Sequence, residues 1–222
     1  MYLLVEMRAI EGHTQKQWFE VFVFDKQTLH LHFKLKGGSI GRKLAVNSRR
    51  DTETEVLILE GGKDVHAMVE VYNIPGKFDQ HFNGRILQDV QDIVAASDGH
   101  IFVLDSYGGG KCVREFNANR KHLHSFGVDP HSVAITFDRA SGHIVIVSAE
   151  YDAKQRVYCE NVSIYDNKDP CQNHYSIKRP PVRPIKLAEL GSSPKQNMAV
   201  TTKGRIAVAM QDDKKQGKVV VV

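Results

Sequence analysis

The sequence predicts an all-β chain assembled from repeated, four-stranded antiparallel sheets. Three observations carry this. Short apolar strands recur at near-regular spacing, turn residues separate them, and no segment sustains the 3.6-residue period of an amphipathic helix. The chain has 222 residues, 41% hydrophobic and 25% charged, with a formal net charge of +4. Those values are ordinary for a globular chain with a substantial core and argue against disorder, and the mildly basic charge permits contact with nucleic acid or acidic proteins without demanding it.

The clearest repeat lies in residues 92–126. Asp92 to Ala96 reads as a first strand, the turn Ser97-Asp98-Gly99 follows, and residues 101–104 form a second strand closed by Asp105. Asp-Gly between apolar runs signals a hairpin, because glycine reaches positive φ without steric cost. The glycine-rich loop 107–110 leads to a third strand, 111–116, and the turn 117–120 to a fourth, 121–126. Four short strands in about 40 residues make one blade of a β-propeller.

The same grammar recurs on both sides. Upstream run 43–47, 55–60, 67–72 and 77–82; downstream run 132–136, 143–148 and 156–165; later come 197–201, 205–210 and 218–222. The N-terminal strands 2–5, 19–24 and 28–33 read as second, third and fourth strands of a blade. Leu44, Ile93, Val133 and Met198 fall in one column of the first strands, followed by Ala45, Val94, Ala134 and Ala199. Second strands apolar on successive residues suit burial on both faces. The expected layout is a single domain over 1–222: a partial blade at 1–36, blades at 37–84, 85–127 and 128–190, and a partial blade at 191–222. About 18 strands are expected where a six-bladed ring needs about 24, so the sequence predicts about four to five blades of an incomplete six-bladed ring. Residues 167–184 stretch the period and carry Pro170, Pro180, Pro181 and Pro184, so they are expected to form a surface insertion and no interior strand.

The motif of residues 92–127 resembles the NHL repeat: the Asp98-Gly99 turn, the strand closing on Asp105-Ser106, a third strand ending in Phe116, and Leu123-His-Ser-Phe-Gly127. The chain is thus expected to be an NHL-type β-propeller. It resembles most the propellers of tripartite-motif (TRIM) NHL proteins, which recognise RNA or a protein while a separate RING domain supplies ubiquitin ligase activity. The resemblance implies a non-catalytic recognition scaffold; any ligase activity would need a RING domain, which this sequence does not contain.

A propeller presents loops at both mouths of its channel, and one mouth gathers the second-to-third-strand and blade-to-blade connections. The binding candidates there are Arg42, Lys43, Lys63, Arg85, Tyr107, Lys111, His131, Tyr151, Lys154 and Arg156. Cations would attract phosphate or acidic side chains, and the tyrosines could stack on bases. Glu60 and Asp105 are among the acids expected on the same rim. The partner is a protein or single-stranded RNA; no membrane, small-molecule substrate or cofactor is expected.

The alternative is a propeller enzyme of the amidating-lyase type, with histidines converging on a metal at the channel mouth. The positions preceding the first strands are Arg42, Gln91, His131 and Gln196, so one histidine stands where a catalytic zinc needs three ligands. The pairs His30/His32 and His122/His124 fall on outer strands. No catalytic or metal residue is assigned. Gly108 to Gly110 lacks the setting of a phosphate loop, and Cys112 opens a strand, where a buried thiol is inert. Three cysteines without a CxxC pair, and an N-terminal apolar run too short for a signal core, predict a cytoplasmic location.

Overall fold

The computed structural model describes residues 2–11, 16–25, 27–28, 30–37, 41–48, 54–62, 65–74, 77–82, 86–107, 109–152, 157–166, 177–178, 183–186, 197–200, 206–211 and 217–221. They fall into two compact units, Met1–Val90 and Gln91–Val222. All described regular structure is β. Among the described residues no helix is long and apolar enough to cross a membrane.

The first unit holds two antiparallel sheets. One is β1 (Tyr2–Glu11), β2 (Lys16–Asp25) and β3 (Leu31–Gly37), in that order. The other is β4 (Gly41–Ser48), β5 (Thr54–Gly62), β6 (Val65–Asn73) and β7 (Phe78–Phe82), again in chain order. On β5, Val56, Leu57, Ile58 and Leu59 are buried in succession, as a strand covered on both faces requires.

The second unit begins with β8 (Asp92–Ala95), β9 (Ile101–Tyr107), β10 (Gly110–Phe116) and β11 (His122–Val128), paired consecutively. The next sheet comprises β12 (Ser132–Asp138), β13 (His143–Asp152), β14 (Val157–Asp166) and, after the two-residue β15 (Ile177–Lys178), β16 (Arg183–Lys186). The last is β17 (Asn197–Val200), β18 (Ile206–Gln211) and β19 (Gly217–Val221). The inner strands β8, β12 and β17 are neighbours in turn, β12 lying beside both others.

Two expectations need correction. The expected insertion 167–184 does not stay clear of the sheets: its last residues, Arg183 and Pro184, open β16, which pairs antiparallel with β14, Pro184 opposite Ser163. β16 is the sheet's outermost strand, where proline's missing N–H costs no ladder bond. Residues 177–178 pair parallel with β11. In the first-strand column, Ser132 opposes Ser148 and Ala134 opposes Val147, so Val133 is the extra residue of a bulge and the aligned column slips there.

Packing in the second unit is face to face. Phe102, Leu104, Val113 and Phe126 from β9–β11 meet Ile135, Phe137, Ile144, Ile146 and Tyr165 from the next sheet. Phe102 stacks on Phe137 with centroids 6.0 Å apart, and Phe126 lies 5.6 Å from Tyr165. Burying each such side chain contributes about 1.5–3 kcal/mol. The carboxylate of Asp92, at the start of β8, accepts the Ile135 N–H of β12 at 2.9 Å, a polar staple between the two sheets.

The outer hairpins share a device invisible to hydrophobic pattern. In β2–β3, β6–β7 and β10–β11 the register slips once near the turn, after Phe24 meets Leu31, Tyr72 meets Phe78 and Phe116 meets His122. Tyr72–Phe78 and Phe116–His122 are both edge-to-face contacts at 5.6 Å. The latter two hairpins also share a turn: the Asn73 N–H donates to the Lys77 carbonyl as the Asn117 N–H does to that of Lys121, and each asparagine Oδ1 accepts the lysine N–H. A side chain that mimics the backbone acceptor fixes the turn.

Candidate recognition surface

Antiparallel pairing gathers the ends of successive strands. In the second unit, Tyr107 ends β9 and pairs with Gly110 at the start of β10; Lys111 pairs with Ser106 and with Val128 at the end of β11. His131 immediately precedes β12, and Tyr151 near the end of β13 pairs with Tyr158. Four of the ten candidates thus come from one end of two adjoining sheets. His131 is exposed and Lys111 half-buried. In the first unit, Arg42 and Lys43 occupy the corresponding start of β4: Lys43, half-buried, lies opposite Leu59, and Arg42 is the extra residue where the register shifts between the Gly41–Glu60 and Lys43–Leu59 pairs. Lys63, Arg85, Lys154 and Arg156 lie outside the described residues.

Two of the acids expected on this rim are buried. Asp105 is fully buried and Glu60 is 6% exposed, so neither faces solvent among the loop cations. Asp105 is held by the Arg114 guanidinium, Nε to Oδ2 at 2.7 Å, and accepts the Ser106 N–H at 2.9 Å. Arg114 also reaches Ser125 Oγ at 3.4 Å, and that hydroxyl lies 2.9 Å from His122 Nε2. A buried carboxylate persists as an ion only when paired and hydrogen-bonded. Here the pairing ties β9, β10 and β11 together beneath the loops.

Other bonds fix the connection bearing His131. Its N–H donates to Asp129 Oδ1 at 2.8 Å, its carbonyl accepts the Ala149 N–H at 2.9 Å, and Ser132 Oγ meets Ser148 Oγ at 3.1 Å. The sequence missed these supports, although Asp-Pro-His-Ser before a strand is a recognisable side-chain-capped turn. Burial pushes the Cys112 thiol up, leaving it protonated and a poor nucleophile at neutral pH.

The opposite end of the same sheet holds a second polar cluster. Glu115, 5% exposed, receives His100 Nδ1 on Oε1 at 2.6 Å and His124 Nε2 on Oε2 at 2.9 Å. Burial pushes its carboxyl up, but the two imidazole hydrogen bonds and their charge outweigh this and hold it below the usual glutamate value. His122 and His124 sit on the outer strand as expected. The bulge at Leu123 sends them to opposite faces, one to Ser125 and one to Glu115. Among the described residues no three His, Cys, Asp or Glu groups are arranged to hold a metal ion.

No protein-family model and no curated protein matches the chain. Solved structures do. The chain is similar to the WD40 β-propeller domain of Doa1, with a TM-score of 0.59 at 16% identity over 99% of this chain and 60% of that one. It is also similar to hydrazine synthase of Kuenenia stuttgartiensis (0.64, 12%, 93% and 59%) and to a chain of a nidogen/laminin complex (0.55, 14%, 98% and 77%). The chain spans about 60% of the length of the first two. The fold is that of a β-propeller, here represented by part of one.

Proposed function

We propose that this chain is a non-catalytic recognition scaffold that binds a protein partner through the loop end of its blades. The supporting observation is the convergence of Tyr107, Lys111, His131 and Tyr151 on one end of two sheets, above strand ends pinned by Asp105–Arg114 and Ser132–Ser148. Loops of mixed aromatic and cationic character on a rigid base lose little freedom on binding, which favours affinity. The propeller-bearing Doa1 and nidogen/laminin structures give the reading its general plausibility. A protein is favoured over single-stranded RNA because Lys111, central to the loop end, is half-buried where a phosphate track would want solvent-facing cations. The resemblance to TRIM-NHL propellers supplies the finer form: a cytoplasmic substrate-recognition module serving a ubiquitin ligase whose RING domain is separate.

The test is a Lys111→Glu/His131→Glu double variant, checked for native circular dichroism. Proteins cross-linked in cells to the parent chain are purified and titrated against both forms. A partner of this face should bind the double variant at least tenfold more weakly. Equal affinity would overturn the placement, and a binding curve that weakens steeply with salt on RNA but is absent with protein would replace the partner class.

A further inference from the structure

Every described strand pairing is antiparallel except one. β15 lies parallel on the outer edge of β11, Ile177 opposite Phe126 and Lys178 opposite Gly127. An edge strand presents a row of outward N–H and C=O groups, and an extended peptide can join it as one more strand. Here a segment of the chain itself has done so.

The segment is not needed to close its own hairpin. β14 and β16 pair at Ile164 and Arg183, so residues 165–182 separate them, whereas residues 117–121 suffice between Phe116 and His122 in the preceding sheet. Hairpin loops of two to five residues are the norm. Within that connection Ile177 and Lys178 lie on the edge of the neighbouring sheet. Parallel pairing is the weaker kind per residue, and two residue pairs make a short ladder.

We propose that the outer edge of β11 is a docking edge for an extended basic segment of a partner protein, and that Ile177–Lys178 occupies it in cis as a displaceable stand-in. The chemistry of the occupant is read from the stand-in. A β-branched apolar residue suits a strand position opposite Phe126, and the bases Lys178 and Arg179 follow it. In the parallel register Lys178 lies opposite Gly127, two residues before Asp129 in the sequence. This surface is a strand edge and not the loop end assigned to partner recognition above, so either assignment can fail alone.

The test uses the full chain and a fluorescein-labelled synthetic peptide of residues 172–182. One variant carries Ile177→Pro with Lys178→Gly, which removes the pairing N–H and the strand propensity; a second replaces residues 172–179 with glycine and serine at equal length. A tethered strap acts at millimolar effective concentration, so the parent chain should exclude the peptide. The peptide is expected to bind the folded variants at least tenfold more tightly than the parent, and a peptide of reversed sequence is expected not to bind. Failure to bind a folded variant, equal binding to the parent, equal binding of the reversed peptide, or self-association of the variants without peptide capture each overturns the proposal, the last by making the strap a mere edge cover. Should neither variant fold, saturating peptide on the parent is expected to accelerate amide exchange at Ile177 and Lys178. Unchanged exchange there overturns it equally.

Discussion

Replacing Arg114 with methionine isolates the buried charge beneath the loop end. The Asp105 side chain is 0% exposed and that of Arg114 is 9%, with Nε 2.7 Å from Oδ2. Methionine keeps most of the aliphatic volume but removes the guanidinium, leaving a carboxylate without its cation. Breaking a buried pair from one side costs about 3–5 kcal/mol. Asp105 keeps the Ser106 N–H at 2.9 Å, which argues for the lower end, about 3 kcal/mol. For a chain of this size that lowers Tm by roughly 6–12 °C. The double variant Asp105→Leu/Arg114→Met buries no charge and is expected within about 1–2 kcal/mol of the parent. The cycle should therefore return a coupling of at least about 1 kcal/mol. Urea denaturation followed by far-ultraviolet circular dichroism reads all four forms. A loss below about 1 kcal/mol for Arg114→Met, or a double variant less stable than the single, would refute the assignment of this pair as a mutually dependent buried ion pair.

Four further outcomes follow from named positions. Because the Glu115 carboxyl is held below its ordinary value of 4.5 in the folded chain, its stabilisation is complete above that value and is lost as pH falls through the lowered one. Glu115→Gln should thus be less stable than the parent at pH 6, with the gap closing below about pH 4; a gap independent of pH would show that the histidines do not favour the carboxylate. Phe102→Ala empties a fully buried site stacked on Phe137 and should cost about 3–5 kcal/mol in the same urea assay. Gly61→Ala meets two obstacles, a φ of +120° and a Cβ that would lie 2.5 Å from the Ala67 Cα, so it should destabilise by at least about 1–3 kcal/mol. Gly142→Ala, at φ +76° with open space around it, should cost less, about 1–2 kcal/mol.

Much of the fold was legible because each hairpin carries its own local signals. Ser97-Asp98-Gly99 becomes the β8–β9 turn with Gly99 at φ +88°, and the Asn117 turn and the outer-strand placement of His122 and His124 follow the sequence. Long-range pairing was not legible. Asp105 reads as a rim acid at a strand end; only the register brings Arg114, nine residues on, across to it. Pro184 disqualifies a central strand, yet β16 is an edge, where that objection has no force. Two parallel residues at 177–178 leave no periodic trace at all. Of the candidate positions, Tyr107, Lys111, His131 and Tyr151 lie at strand ends where the sequence put them, and the Asp129–His131 turn is local; the bonds from Ala149 and Ser148 to β12 and the residue before it come from the neighbouring strand and leave no local signal.

The polar groups also explain something that hydrophobic packing leaves open. Facing apolar surfaces such as Phe102, Leu104 and Ile146 attract without direction, and a slide of one sheet over the next changes their buried area little. Hydrogen bonds between particular atoms are directional and lose strength within an ångström. The Asp92 carboxylate, 8% exposed, bonds both its own strand at the Ile93 N–H and the next at the Ile135 N–H, each at 2.9 Å. A slide of one residue would break the second bond and bury an unsatisfied N–H on β12, which costs about 1–3 kcal/mol. The stack of sheets in this unit thus takes its attraction from the apolar faces and its register from a carboxylate at the loop end. That coupling is why the loops borne by β8 and β12 keep a fixed spacing, the condition a recognition surface built from separate blades must meet.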